Sequence, residues 1–263
     1  MSKYVVFSFD DGRLDTYTNA YKVLNEYSMP ATLNVATDFI NNAENYKNFL
    51  SAGNKAMSWE EIYECRNSGW EIACHGHMHL NDSADINECI SQLKNHGINE
   101  EKIGFASPNS EINDDNYNII AKSDCAKDLL YIRSGLQRRR EGILYAGLSF
   151  LNSHIKSKKL FCILNKRCKL KINQDMSQKY ILSVGISSEV TLESVTALLK
   201  SLNDGEGIIL MFHSILSDKE SNQKLDSWWW DINKLKRLCE WISQNSDIKV
   251  LTTKQLVEHS LNK

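Results

Sequence analysis

The 263-residue chain reads as an α/β protein with a mostly parallel sheet or barrel. Three observations predict this. Short β-branched or aromatic runs alternate with helical periods along most of the chain, several helices carry recognisable ends, and no internal repeat or Pro/Gly-rich linker divides the sequence. With 42% hydrophobic residues the chain can bury a full core, and its two prolines, at 30 and 108, mark no boundary. A single domain over residues 1–263 is expected.

In order, the expected strands are Tyr4 to Phe9, Ala31 to Ala36, Trp70 to Cys74, Lys102 to Ala106, Leu129 to Arg133, Tyr180 to Val184, Gly207 to Phe212 and Ile248 to Leu251. Ser58-Trp-Glu-Glu61 is a capping box whose helix stops before Gly69. The helix over Ser83 to His96 stops before Gly97, a residue suited to a left-handed C-terminal position. Leu136 to Gln178 breaks the rhythm. It joins Gln137-Arg138-Arg139-Arg140, an apolar stretch from Ile143 to Leu151 and a Lys/Arg cluster at Lys166 to Lys171, and reads as an insertion between two strands.

The formal net charge of −2 is unevenly spread: Arg133 to Lys171 holds eleven lysines and arginines against the single acid Glu141. Such a segment faces an anionic partner or pairs with the acidic remainder of the fold. The seven cysteines include no Cys-x-x-Cys pair and are expected to be reduced and mostly buried. The apolar run at the N-terminus is about six residues, too short for a signal or a membrane span, so the sequence given reads as cytoplasmic.

Two separated elements carry the chemistry: Ser8-Phe-Asp-Asp-Gly12 and His75-Gly-His-Met-His79, each where an apolar strand stops. Catalytic metal sites commonly take three protein ligands and leave room for water, and Asp11, His75 and His79 supply that number. The i, i+4 spacing places the two histidines on one face if the segment turns helical, with His77 pointing elsewhere. Attack on an amide or ester also needs a base, and Asp10 projects differently from the same strand end. Gly207-Ile-Ile-Leu-Met-Phe-His213 places a histidine just past a buried strand, suited to general acid work.

Phe9-Asp10-Asp11-Gly12, His75-Gly76-His77-Met78-His79 and Leu210-Met-Phe-His213 resemble the first, second and late motifs of the polysaccharide deacetylase (NodB homology) family of metal-dependent carbohydrate deacetylases. The resemblance implies an α/β, single-domain deformed (β/α) barrel of about seven strands, with a basic insertion at about 136–178. It implies Asp10 as base, Asp11, His75 and His79 as metal ligands, and His213 as acid. The second motif has Gly76 where the family usually has a hydroxyl residue. The third motif keeps only Pro108 in Phe105-Ala-Ser-Pro108-Asn109-Ser110 and lacks the family's arginine; the Asn109 N–H remains to stabilise an oxyanion. The fourth motif appears as Tyr131-Ile-Arg133-Ser134 without a carboxylate. Arg133 is expected to replace the missing arginine, and Asp231 to partner His213.

Ser227-Trp228-Trp229-Trp230-Asp231 reads as an exposed loop whose rings suit the apolar faces of sugars, although strand-like alternation would bury every second residue. The expected function is a metal-dependent hydrolase removing an acetyl group from an N-acetylated sugar in a glycan or glycan precursor. Zinc leads on the N/O donor set, with cobalt, nickel and manganese also compatible. A cytoplasmic or membrane-face substrate, such as a nucleotide- or lipid-linked precursor of a surface glycan, is expected, with residues 133–171 contacting diphosphate or anionic lipid; no nucleic acid is expected. The rival readings are a deacylase for a non-sugar amide and a catalytically silent glycan-binding protein that keeps a structural metal site.

Overall fold

In strands of period two, alternate side chains point to opposite faces, and here that alternation separates a barrel interior from a helix-covered exterior. The computed structural model describes residues 2–46, 55–137, 141–171, 180–217, 219–220 and 228–261. The strands are β1 (Lys3–Phe9), β2 (Thr32–Val35), β3 (Glu71–Cys74), β4 (Ile103–Ala106), β5 (Leu129–Gly135), β6 (Leu170–Lys171), β7 (Ile181–Gly185), β8 (Glu206–Phe212), β9 (Ser214–Leu216), β10 (Trp229–Asp231) and β11 (Ile248–Leu251). Parallel pairing runs β1-β2-β3-β4-β5-β7-β8 and closes through β8 on β1, a seven-stranded deformed (β/α) barrel as expected.

The closure is uneven. β1 pairs with β2 only at Ser8 and Phe9, because its first half is taken by β11 over Lys3 to Val6. β6 likewise pairs antiparallel with the start of β8. The last expected strand therefore forms but adds to the sheet outside the closed ring.

Val6, Tyr131, Ile181 and Ile209 pack together with Leu256 and Val257 at one end of the barrel. Val5, Phe7, Phe9, Leu210 and Phe212, the alternate residues of the same strands, join the larger cluster shared with the helices. Along the inner face, two residues on from Val6, Tyr131, Ile181 and Ile209 stand Ser8, Arg133, Ser183 and Met211. Period two thus carries the interior from apolar to polar towards the strand C-termini, where Asp10 and His213 follow.

The helices are α1 (Lys22–Glu26), α2 (Thr37–Asn41), α3 (Trp59–Asn67), α4 (Ser83–Asn95), α5 (Asp114–Ile120), α6 (Ile143–Ile155), α7 (Lys158–Leu164), α8 (Leu192–Lys200), α9 (Ile232–Ser243) and α10 (Thr253–Leu261). The capping box at Ser58 forms in both directions, and α4 starts after Asp82, whose side chain accepts from the Asp85 N–H. α10 plugs the barrel's N-terminal end. There Thr253 meets Thr32 at 2.9 Å, and the Glu71 carboxylate accepts from Tyr131, Thr32 and the Lys254 N–H.

Of the stretch 136–178, the described residues lie between the barrel strands β5 and β7, where α7 buries Phe161 and Leu164 and packs on α8, while β6 joins the sheet. Part of its charge is met within the fold, with Arg167 on Glu141 and Lys169 on the Ser201 carbonyl and 3.9 Å from Glu206. The expectation placed on Arg138, Arg139 and Arg140 lies outside the described residues. The tryptophan run is no open loop: Trp229 to Asp231 forms β10, parallel to β9. The seven cysteines are free thiols, mostly buried. No helix among the described residues is long and apolar enough to cross a membrane.

Candidate active site

Asp10 leaves β1 with its N–H donating to the Phe212 carbonyl, which ties the ends of β1 and β8 together. Asp11 and Gly12 follow, both at φ 80°, and this turn swings the Asp11 carboxylate away from that of Asp10. His75 leaves β3 with its N–H on the Val35 carbonyl.

The segment after His75 is a tight loop rather than the helical turn the i, i+4 spacing suggested. Gly76 (φ 79°) and His79 (φ 61°) are both left-handed. Asp85 in the first turn of α4 clamps the loop by accepting from the N–H groups of Met78 (2.7 Å) and Leu80 (3.0 Å). A Cβ on residue 76 would meet Asp85 Oδ2 at 2.5 Å and the Leu80 backbone at 2.8 and 2.9 Å. Glycine therefore stands where the family usually has a hydroxyl residue, because this clamp leaves no space and demands positive φ.

Asp11, His75 and His79 converge, with one donor atom from each lying within 4.8 Å of the others. His75 Nε2 is 3.3 Å and His79 Nε2 3.5 Å from Asp11 Oδ1. His75 Nδ1 donates to the Ala106 carbonyl at 2.8 Å, so its Nε2 presents a lone pair to the cluster in the neutral ring. Burial pushes the His79 pKa down to about 4, so that ring is uncharged near neutrality. Asp11 Oδ1 is buried and has no hydrogen-bond partner among the described residues. Three lone-pair donors facing one another repel unless a cation lies among them, and the N/N/O set suits a divalent metal. His77 points away, as expected, with Nδ1 on Thr37 Oγ1 at 2.9 Å and Nε2 3.8 Å from Asp38.

Asp10 is held by Arg133. One guanidinium nitrogen, Nη2, donates to both Asp10 oxygens at 2.7 Å, while Nη1 donates to Ser183 Oγ at 2.9 Å. Asn34 adds a third hydrogen bond to Asp10 at 2.8 Å. Burial raises the Asp10 carboxyl, but Arg133, with His75 and His213, outweighs it, and the pKa is lowered. Arg133 on β5 thus reaches Asp10, because the period-two inner face of β5 points at it. Burial likewise opposes ionisation of Asp11. Arg13, whose Nε donates to Asp11 Oδ2 at 2.8 Å, leads the groups that hold that carboxyl well below its usual range.

The site opens into a cavity of about 940 Å³ whose lining includes Asp10, Arg13, His79, Asn109, His213 and Trp228. Burial pushes the His213 pKa down, and Nδ1 has no hydrogen-bond partner among the described residues. Asp231 does not partner it: its carboxylate caps α9, accepting from the N–H groups of Asn233 (2.9 Å) and Lys234 (3.0 Å). Trp228 is 41% exposed, with its ring 5.0 Å from that of His213 and its edge over Gly185, where a Cβ would meet it at 3.2 Å.

The other tryptophans are corrected. Trp230 is fully buried with Nε1 donating to the Val190 carbonyl, and Trp229 is partly buried in β10 and does not line the cavity. Asn109 reaches the cavity from a strained turn in which it and Ser110 both have φ 53°. Pro108 is buried behind it, its carbonyl accepting from Asn81. Arg13, Asn34 and Ser183 were missed. The signals were a cation directly after Asp-Asp-Gly and lone polar residues in the middle of apolar strands.

Comparison with known proteins follows this geometry. Residues 1–125 match the family model described as Polysaccharide deacetylase. The family resemblance read from the motifs is borne out on that stretch, which contains β1 to β4 and Asp11, His75 and His79. No curated protein matches. Among solved structures, a family 4 acetyl xylan esterase from Clostridium thermocellum in complex with a cobalt ion is 16% identical, with TM-score 0.52 over 97% of this chain and 90% of that one. The Xyl-CE4 domain of a multidomain xylanase from the hindgut metagenome of Trinervitermes trinervoides is 16% identical, with TM-score 0.53 and coverage of 98% and 91%. The peptidoglycan deacetylase PdaC from Bacillus subtilis is 12% identical, with TM-score 0.51 and coverage of 99% and 92%. At these identities the likeness is one of fold, and it covers nearly the whole chain.

Proposed function

We propose that the chain is a metal-dependent hydrolase that removes an acetyl group from an N-acetylated sugar. The observation that carries this reading is the buried Asp10–Arg133 pair beside the Asp11, His75 and His79 cluster, both opening on the cavity that holds His213. A divalent cation held by Asp11, His75 and His79 would polarise the acyl carbonyl and acidify water, with zinc leading and cobalt, nickel or manganese also suited.

The chain's own residues then divide the remaining work. Asp10, kept ionised and oriented by Arg133 and Asn34, takes the proton of the attacking water. The Asn109 N–H at the cavity edge supports the developing oxyanion. His213 delivers a proton to the leaving amine. Since burial lowers its pKa, it is neutral in the resting protein near pH 7, and the proton it delivers is taken up within the turnover. Trp228, tilted at 49° against His213 and half-open to solvent, offers one apolar platform for a sugar ring.

The test is acetate release by metal-loaded protein from N-acetylhexosamine oligomers, nucleotide sugars and O-acetyl model esters. Release that disappears in Asp10→Asn, with metal content retained, supports the assignment; equal activity in that variant sinks the base. A second reading, a silent glycan-binding protein, draws on His213 Nδ1, which has no hydrogen-bond partner among the described residues. Glycan binding with no acetate released from any of these substrates would establish it.

A further inference from the structure

Helix α6 is amphipathic in the opposite sense to an ordinary surface helix. Tyr145, Ser149, Asn152 and Ser153, at helical spacing, line the cavity, so the polar stripe faces the protein. Ile143, Leu144, Phe150, Leu151 and Ile155 form the outer stripe, exposed at 94%, 77%, 62%, 47% and 54%. No α6 residue is buried. A water-facing stripe of five large apolar side chains is costly to leave uncovered and marks an interaction surface.

Its surroundings favour one kind of partner. Lys156, at the C-terminal cap of α6, and Lys158 and Lys159, which begin α7, are exposed. Lys159 and the 57% exposed Ile163 on α7, with Lys166 just beyond its end, repeat the apolar and basic mixture. Across Arg133 to Lys171 the only acid is Glu141, and it is engaged by Arg167. Apolar side chains flanked by cations match an anionic bilayer, in which the rings and aliphatic chains enter the acyl boundary and the lysines meet headgroup phosphates.

We propose that the outer face of α6, with the lysines at the start of α7, is a docking surface for anionic lipid bilayer. The same helix walls the cavity, so docking holds the cavity within about one helix diameter, ~10 Å, of the lipid headgroups. Substrates bearing a lipid anchor would then enter along the membrane plane. The docking stands on the exposed face alone and does not depend on the hydrolytic reading.

The experiment is co-sedimentation of the full chain with vesicles of phosphatidylcholine alone or mixed equally with phosphatidylglycerol. Binding to the mixed vesicles only, weakened at high salt, is expected. The triple variant Leu144→Ser, Phe150→Ser, Leu151→Ser should abolish it. The variant Lys158→Gln, Lys159→Gln, Lys166→Gln should lower partitioning on the order of 100-fold. These side chains are exposed, so circular dichroism and melting temperature should be unchanged in both, which separates loss of binding from loss of fold. Absence of wild-type binding to the anionic vesicles would overturn the proposal, as would binding that survives the serine substitutions. A concentration-dependent dimer in solution that the serines dissociate would overturn it too, by showing that a second copy covers this face.

Discussion

Replacing Arg133 by methionine isolates the feature in which this chain departs most from the family pattern. Arg133 Nη2 lies 2.7 Å from both oxygens of a buried Asp10. At that distance and an effective dielectric of about 20, the gross attraction is on the order of 6 kcal/mol, offset in part by the desolvation of both groups. Removing one partner leaves a buried carboxylate uncompensated, and the expected loss of stability is about 3 to 5 kcal/mol. Burial is the largest influence on Asp10 and acts to raise its pKa; with the guanidinium gone that influence prevails. A carboxyl whose pKa rises is ionised only at higher pH, so the acid limb of the activity profile moves towards higher pH. Acetate release at pH 7 should fall by roughly 100-fold or more, with partial recovery under alkaline conditions. Urea unfolding and a pH series of kcat/KM read both effects. In Asp10→Asn with Arg133→Met, the stability losses should be less than additive. An unchanged pH profile in Arg133→Met would refute the claim that an arginine from β5 governs the base.

Other consequences concern separate parts of the site and fold. His75→Ala removes one of three ligands and its Nδ1 bond to Ala106, so metal affinity measured by competition with a chelator should drop at least ~100-fold; unchanged stoichiometry would count against the ligand set. Trp228→Ala should raise KM for oligosaccharide roughly tenfold with kcat nearly unchanged, and alter stability little because the ring is 41% exposed. Glu71, raised by burial in spite of its hydrogen bonds, gives the opposite pH sign from Asp10. The unfolded chain loses this proton first, so Glu71 favours folding most below its ordinary value of 4.5, and that contribution declines as pH rises through the raised folded value. Urea midpoints of Glu71→Gln should therefore fall less steeply than wild type above pH 4.5.

Much of the barrel was legible along the chain because its strands are short, apolar and separated by capped helices. All eight expected strands form. Helix α7 was not legible because it is seven residues long and carries only Phe161 and Leu164 as buried anchors, too few for a helical period to stand out. The tryptophan run misled differently: Trp230 is core and Trp228 is cavity wall, and only the pairing of β10 with β9 separates them. Asp231 carried a plausible charge at a plausible distance in sequence, yet α9 uses it as a cap.

Sequence by itself determined the donor types and their order: two adjacent carboxylates at one strand end, three imidazoles at another, and a last histidine after a buried strand. These are chemical identities, and they are read directly. Tertiary structure alone decided which groups meet. The left-handed turns at Asp11, Gly76 and His79 aim the ligands. Closure of β8 on β1 brings His213 to Asp10, and the shared inner face of β5 and β1 delivers Arg133 across 123 residues of chain. Each of these depends on strand register and backbone handedness, properties of the folded sheet that no local pattern encodes.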